Sequence, residues 1–334
     1  MRIWRSDLRS LRFPGPTFLT IGNFDGVHLG HQALLRILQA EAANHASAAK
    51  TALLTFDPHP MAVLRPELTL SLLTTPQERL RLIEPFGLDL GIIQPFDMDF
   101  ASLTPEQFMT LLVERLGLAR LIVGPDFALG RGRSGNVDLL RTLGTRLGYE
   151  LSVIEPFSCG EGEVHSRQIR QSLLAGAVQD AAQMLGRPYQ IAGIVEEGER
   201  RGRQIGVPTA NIRPIPQKLI PADGVYVTWA YPPDSRSPDS RSPHPRASVT
   251  NIGVRPTVDG RRRRIETHLL DYPAVGESGA LYGQELAISF VSRLRDEQRF
   301  DSLEELVAQI QKDISVARRT LTEISAVPDS ITVE

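Results

Sequence analysis

A single cysteine, Cys159, stands in the chain. An intramolecular disulfide and a thiolate metal cluster are therefore both excluded, and nothing in the sequence points to an oxidising compartment. Lysine is nearly as scarce: Lys50, Lys218 and Lys312 are the only three among 37 basic residues, the rest being arginine. The planar guanidinium fork suits phosphate and carboxylate, although a composition bias of the genome explains the excess as well. Net charge is almost absent, with 37 basic residues against 39 acidic ones leaving −2. The electrostatic footprint of a nucleic-acid binder is missing. No uncharged apolar run reaches the roughly 18 residues of a membrane span, and the opening ten residues carry scattered charges with no apolar h-region of a secretory signal. These absences predict a cytoplasmic protein with small-molecule partners, without nucleic acid or membrane; a monomer or weak homo-oligomer is expected, although nothing in the sequence fixes the oligomeric state.

What is present is ordinary globular composition, with 41% apolar and 23% charged residues. At about 150 residues per domain, 334 residues predict two domains. Over residues 18–154, β-rich runs (FLTIGNF, TALLTFD, GIIQPF, LIVG, LSVIEP) alternate with stretches of helical period, which predicts βαβ units on a parallel sheet. Thr75-Pro-Gln-Glu78 and Thr104-Pro-Glu-Gln107 each supply a Thr N-cap, a Pro at N1 and Glu or Gln at N3. Beyond Tyr189 the runs QIAGIVEE, GVYVTWA, ASVTNIG, RIETHLL and ELAISFV follow one another without helices, which predicts an antiparallel barrel or sandwich. Ser302-Leu-Glu-Glu305 then opens a helix with a capping box, and Leu303, Leu306, Ile310, Ile314, Ala317 and Leu321 share one face, so a terminal helix is expected to close the barrel. Residues 232–245 repeat Asp-Ser-Arg-Ser-Pro and are too polar for a core, hence a loop. Domain limits of 1–186 and 187–325 follow.

Two constellations carry chemistry. Ile21-Gly-Asn-Phe-Asp-Gly-Val-His-Leu-Gly-His31 runs from a strand through a Gly-rich turn into a helix, aiming free N–H groups at whatever lies above the strand. Gly22, Asn23, His28, Gly30 and His31 fall there, and an anion such as a polyphosphate suits them. The segment resembles the His-X-Gly-His motif of the nucleotidylyltransferase superfamily, and in its full form that of bacterial bifunctional riboflavin kinase/FAD synthetases. Further matches follow in order: Thr55-Phe-Asp-Pro-His-Pro60, Leu72-Leu-Thr-Thr75, Val123-Gly-Pro-Asp-Phe127 with Gly130, Arg133 and Gly135, Ile169-Arg170, and Leu185-Gly-Arg-Pro-Tyr189. The resemblance implies that Asn23, His28 and His31 hold ATP phosphates, that Arg170 reaches the pyrophosphate end, and that Asp126 and Phe127 line the flavin or adenine side. Asp57, His59 and Phe127 taken alone read equally as turn residues and a core aromatic. Where these enzymes usually carry Ser-Ser-Thr-X-Ile-Arg, this chain has His165-Ser-Arg-Gln-Ile-Arg170. Ser166 and Arg170 remain, as an expected N-cap and phosphate cation, while an imidazole and a guanidinium replace two hydroxyls.

In the second half, Gly193-Ile-Val-Glu-Glu-Gly198 and Gly202-Arg-Gln-Ile-Gly206 lead into Val207-Pro-Thr-Ala-Asn211, read as a Gly-punctuated strand pair ending in a turn. Thr209 and Asn211 are hard oxygen donors suited to Mg²⁺, and Gly198, Gly202, Gly206 and Pro208 shape the backbone around a phosphate. Asn251-Ile-Gly-Val-Arg-Pro-Thr257, Ile265-Glu-Thr-His-Leu-Leu-Asp271, Leu281-Tyr-Gly283 and Arg293-Leu-Arg295 resemble, in order, the riboflavin kinase domain of the same family. By that resemblance Glu266 is the general base for the ribityl 5′-hydroxyl, Thr209 and Asn211 hold Mg·ATP, and Arg295 belongs to the site. The run Arg261–Arg264 reads as a solvated turn, and His268, with no second ligand at metal spacing, as a satisfied barrel histidine.

The resemblance implies riboflavin plus ATP giving FMN, then FMN plus ATP giving FAD and pyrophosphate, with Mg²⁺ at both steps. Two alternatives stay open: a kinase whose first domain is weakened or serves another nucleotidyl acceptor, and a non-catalytic flavin-sensing module.

Overall fold

The computed structural model describes residues 1–45, 48–155, 158–159, 162–198, 202, 205–233, 245–257, 260–272 and 281–324. The chain divides into two compact units, Met1–Ser166 and Arg167–Glu334.

The first unit is built on six parallel strands: β1 (Arg2–Trp4), β2 (Thr17–Ile21), β3 (Lys50–Asp57), β4 (Leu90–Pro95), β5 (Leu118–Val123) and β6 (Glu150–Val153). Their order across the sheet is β1-β4-β3-β2-β5-β6. Every residue of β2 is buried, as expected of a parallel strand covered on both faces, which is why its sequence is a continuous run rather than an alternation. The helices α1 (Leu29–Ala43), α2 (Pro60–Leu64), α3 (Pro76–Ile83), α4 (Met98–Ala101), α5 (Pro105–Leu116) and α6 (Val137–Leu147) supply the cover. Phe108, Leu112 and Leu116 of α5 pack with Leu19, Leu54 and Leu121, and Leu35 and Leu38 of α1 pack with Phe18, Leu53 and Ile122. Both expected capping boxes are present, at Thr75 with Glu78 and at Thr104 with Gln107. The chain leaves β2 toward β3 on one side and returns to β5 on the other, so the carboxyl ends of β2 and β5 flank a topological switch point, where open α/β sheets bind ligands.

Then come a two-stranded ladder, β7 (Ser158–Cys159) with β8 (Gly162–Glu163), and two helices, α7 (Ser166–Leu174) and α8 (Val178–Leu185). The second unit contains a closed barrel of β9 (Tyr189–Glu196), β10 (Ala210–Pro214), β11 (Gly224–Tyr231), β12 (Arg246–Thr257), β13 (Gly260–Leu269) and β14 (Glu285–Arg295), ordered β10-β13-β12-β11-β14-β9 and antiparallel throughout. Its interior is partly polar. Thr228 bonds both Ser248 (2.7 Å) and Thr250 (2.8 Å), and Thr250 bonds Thr267 (2.9 Å), all four residues fully buried. Satisfied in this way, hydroxyls cost little inside a barrel. The terminal helix α9 (Leu303–Glu323) lies against β11 and β12, with Ala317 and Leu321 packed on Val227.

Three expectations change. The Ser302 hydroxyl accepts from Glu305 N–H (3.2 Å), but the Glu305 carboxylate takes the N–H of Asp301 (3.3 Å), so only half of the capping box is as expected. The strand pair expected across residues 193–206 is instead β9 with β10, and Asn211 sits on a strand rather than in a turn, because pairing resumes only at Ala210. Arg263 is not a solvated turn residue: it is half-buried, its Nε donating to Asp223 (2.8 Å) and its fork also reaching the carbonyls of Ile220 and Pro221. The side chains of Arg261 and Arg262, and residues 234–244 of the expected loop, lie outside the described residues.

Candidate active sites

In the first unit, the backbone after β2 turns sharply. Phe24 (φ 48°), Gly26 (φ 87°) and Val27 (φ 42°) all adopt left-handed conformations, which two non-glycine residues hold only where surrounding structure over-determines them. That structure is a set of buried polar contacts. The Asp25 carboxylate accepts the N–H groups of Leu73 (3.1 Å) and Thr74 (2.9 Å), the Thr74 hydroxyl accepts from Gly26 N–H (2.9 Å), and Thr55 donates to the Asn23 carbonyl (3.2 Å). The Ser166 hydroxyl donates to the Asp25 carbonyl at 2.8 Å.

The turn delivers His28 to the start of α1. Its Nδ1 accepts the N–H of His31 (3.4 Å), and the two rings stack with centroids 3.7 Å apart. Gly30 leaves room for this arrangement, since a Cβ would stand 3.2 Å from the His28 ring and press it to shift. Burial, and then the neighbouring His28, Arg79 and His165, push the His31 pKa well below the usual imidazole value. His31 is therefore a neutral hydrogen-bonding group at pH 7 rather than a cation.

Over the turn opens a cavity of about 510 Å³ lined by Gly22, His28, Gly30, His31, Asp126 and Phe127, together with Glu163 and His165. The expected residues on β2, α1 and the loop after β5 thus meet at the switch point. His165 also lines it, its Nε2 3.1 Å from the Glu163 carboxylate. Asn23 lies on the turn but is exposed and outside this lining, and Ser166 is the first residue of α7 rather than the expected N-cap, its hydroxyl spent on the Asp25 carbonyl of the turn. Arg170, half-buried on α7, belongs to the second packing unit. His59 caps α2, accepting Met61 N–H, which is the turn-residue reading. Sequence reading missed the bracing role of Asp25, Thr74 and Thr55. All three stand in the strings Ile21–His31, Leu72–Thr75 and Thr55–Pro60, but the hydrogen bonds that join them across the fold are not readable there.

In the second unit, strand register places one row across the outside of the barrel: Asn211 opposite Glu266, Glu266 opposite Asn251, Asn251 opposite Val225, and Val225 opposite Arg295. All five line a cavity of about 570 Å³. The other wall is the N-terminal part of α9, with Leu306, Ile310 and Ile314, so the apolar stripe seals the barrel at its far end and faces a cavity at its near end. The site therefore has a polar floor and an apolar wall, the usual make-up of a small-molecule pocket.

A Cβ on Gly198 would stand 2.2 Å from the Asn211 amide, and one on Gly202 would stand 2.3 Å from the Val207 carbonyl and 3.6 Å from the Thr209 hydroxyl. Backbone space beside Thr209 and Asn211 is thus kept clear, and their hard oxygens, in the same cavity as the Glu266 carboxylate, are donors that fit Mg²⁺. Gly206 takes φ 74° and turns the chain toward Pro208. The Pro208 carbonyl accepts His268 Nδ1–H (2.8 Å), which leaves Nε2 as the acceptor nitrogen; burial lowers the His268 pKa. As expected, His268 is a satisfied histidine, and it also lines the cavity.

The Arg295 fork is taken up by Asp313 of α9, with Nη2–Oδ2 2.8 Å and Nε–Oδ2 3.1 Å, and Gln309 donates to the same carboxylate (2.8 Å). Asn251 and Asp313 were not singled out from sequence, the first because strand register is needed to see it, the second because its place within an apolar stripe gives no signal. Among the described residues no cluster of three His, Cys, Asp or Glu side chains could hold a metal alone, and no helix is long and apolar enough to cross a membrane.

Comparison with known proteins matches residues 11–168 to a FAD synthetase family model and residues 185–321 to a riboflavin kinase one. A crystal structure of a macrolide-efflux protein from Streptococcus pneumoniae shares the fold at TM-score 0.84 and 27% identity, covering 95% of this chain and 99% of that one. The bifunctional riboflavin kinase/FMN adenylyltransferase of Escherichia coli K12 is 38% identical over 301 residues, 90% of this chain and 91% of its own, and that of Pseudomonas fluorescens is 36% identical over 307 residues, 90% and 91%. With two family-specific models in the expected order and relatives matched along nearly their whole length, the chain belongs to the bifunctional riboflavin kinase/FMN adenylyltransferase family.

Proposed function

We propose that this chain makes FMN from riboflavin in its barrel part, residues 187–325, and FAD from FMN in its α/β part, residues 1–186, using ATP twice in the cytoplasm. The observation that carries the kinase assignment is the row Asn211, Glu266, Asn251 across the barrel floor, facing an apolar wall on α9. A flat apolar ring system suits that wall, and its hydroxylated chain then reaches the polar floor.

In the kinase step the Glu266 carboxylate accepts the proton of the ribityl 5′-hydroxyl as its oxygen attacks the γ-phosphorus and ADP leaves. Thr209 and Asn211 would hold Mg²⁺ with ATP, and the ion would supply charge neutralisation at the phosphates. Gly198, Gly202 and Gly206 let the backbone approach those phosphates, Pro208 orients His268, and Arg295 fixes α9 over the cavity through Asp313.

In the adenylyl step an FMN phosphate oxygen attacks the α-phosphorus of ATP and pyrophosphate leaves. Transfer of this kind needs positioning and charge stabilisation more than covalent help. His28 and neutral His31 donate hydrogen bonds to phosphate oxygens, with Asn23, Ser166 and Arg170 assigned to the phosphates and Asp126 and Phe127 to the ring side; Gly22 and Gly30 keep the backbone close. A second reading, another nucleotidyl acceptor in this unit, rests on His165 and Glu163 standing in the cavity wall near where relatives usually carry serine.

One experiment decides among these. Incubation of the full chain with riboflavin and Mg·ATP, followed by chromatographic separation of the flavins, is expected to yield FMN and then FAD, with EDTA stopping both. FMN as sole product would leave only the kinase, and unchanged riboflavin would leave a flavin-binding module.

A further inference from the structure

Behind the turn that carries His28 lies a charge the mechanism above does not use. Arg79, in the first turns of α3, is 1% exposed and is among the largest fully buried side chains. Its one hydrogen-bond partner among the described residues is neutral: Nη1 donates to the Thr55 hydroxyl at 2.8 Å, and Nε has no partner. Asp25, Asp57 and Glu78 act on it through space, but none of them closes an ion pair with it among the described residues. The Asp25 oxygens take Leu73 and Thr74, and Glu78 Oε2 takes Thr75 N–H at 2.8 Å. Burial lowers the Arg79 pKa, yet a guanidinium starts so high that it keeps its proton.

A buried cation without an ion-pair partner is costly to a fold. The cost is rational where an anion is going to bind. Arg79 connects to the phosphate-site turn by the shortest of routes, Arg79 to the Thr55 hydroxyl and Thr55 to the Asn23 carbonyl, and its field is felt at His31. The segment that leads into α3 braces the same turn through Thr74. Since His28 and His31 face the cavity as a stacked pair and His31 stays neutral, the positive potential for a polyphosphate has to come from elsewhere.

We propose that Arg79 is a positioning residue for the adenylyl step, a fixed cation buried behind the Asn23–His28 turn whose charge is compensated only when the ATP polyphosphate occupies the site. It touches no substrate atom; it acts through Thr55, the turn backbone and its field. The proposal rests on the assignment of ATP phosphates to this turn.

The test compares Arg79→Met and Arg79→Lys with the unaltered full chain in two readouts: thermal unfolding with and without millimolar inorganic pyrophosphate, and steady-state adenylylation of supplied FMN. For Arg79→Met the apo protein is expected to keep or raise its melting temperature, since Thr55 still bonds Asn23, while the pyrophosphate-induced rise disappears and KM for ATP climbs on the order of tenfold with riboflavin phosphorylation unchanged. Arg79→Lys is expected to recover most of the pyrophosphate response. A merely structural arginine gives the opposite pattern: an apo protein that melts lower or fails to fold, with the pyrophosphate response and KM intact. Either that pattern or a lysine variant no better than methionine overturns the proposal. If the unaltered chain neither responds to pyrophosphate nor adenylylates FMN, the site assignment fails first, and the two failures are told apart.

Discussion

Glu266 projects from a strand whose neighbours Ile265 and Thr267 are buried inside the barrel, so its outward direction follows from the period-two alternation of β structure. That much is legible in Ile265-Glu-Thr267. What the string cannot give is the company it keeps, because Asn211 and Asn251 arrive beside it through the register of β10 and β12, set over long sequence distances. His28 and His31 are the contrary case: three residues apart at the entry to α1, their stacking follows from local geometry. Glu266→Gln is therefore expected to cut riboflavin phosphorylation by about 10²–10⁴-fold, the usual loss of a general base, while leaving adenylylation of supplied FMN intact. His28→Ala, which removes both the cap of α1 and the ring stacked on His31, is expected to do the reverse. Flavin chromatography with each substrate supplied separately reads both, and parallel loss of the two activities in Glu266→Gln would refute the two-site assignment.

Among elements, α9 shows how an amphipathic pattern under-reports what a helix does. Its stripe predicts one packing face, and Ala317 and Leu321 do pack. The same stripe at Leu306, Ile310 and Ile314 faces a cavity instead, and Asp313, one position before Ile314, is buried because Arg295 and Gln309 satisfy it. Elements of the α/β unit were legible for physical reasons, buried parallel strands being continuous apolar runs and the Thr-Pro starts of α3 and α5 being self-contained capping devices. β1 was not, since three residues flanked by charges draw their strand character from pairing with β4. Asp313→Ala is expected to strand the Arg295 guanidinium against the cavity and to cost the barrel unit on the order of 3 kcal/mol, as breaking a largely buried pair does. Denaturant unfolding in a Trp4→Phe background, where Trp229 is the sole tryptophan and its fluorescence reports the barrel, checks this. A change below about 0.5 kcal/mol, the range of ordinary surface substitutions, would mean that the pair does not hold α9 in place.

At the scale of the whole molecule, both units carry a histidine whose pKa lies below the ordinary value for the same leading cause, burial: His31 strongly, His268 more mildly. In the unfolded chain each takes up a proton as pH falls through about 6.5, whereas in the folded protein each resists protonation until its own lower pKa is reached. Between those two points the unfolded state binds more protons, so the stability present above pH 6.5 is lost as pH falls. Ordinary carboxylates titrate near pH 4, so the contribution of these two imidazoles falls in an interval, from about 6.5 to 5, where side-chain carboxylates add little. Each histidine can contribute at most about 1.4 kcal/mol per pH unit there. Thermal unfolding of the full chain is expected to be insensitive to these groups from pH 8 to 7 and to shift downward from pH 6.5 to 5. The shift should shrink in His31→Gln and, by a smaller amount, in His268→Gln. Pyrophosphate opposes it in the unaltered chain if the anion binds at the Asn23–His28 turn, because an anion there relieves the field that disfavours a protonated His31. A melting temperature that rises on acidification from pH 6.5, or a slope that both glutamine variants leave untouched, would show that neither imidazole is held neutral by the fold.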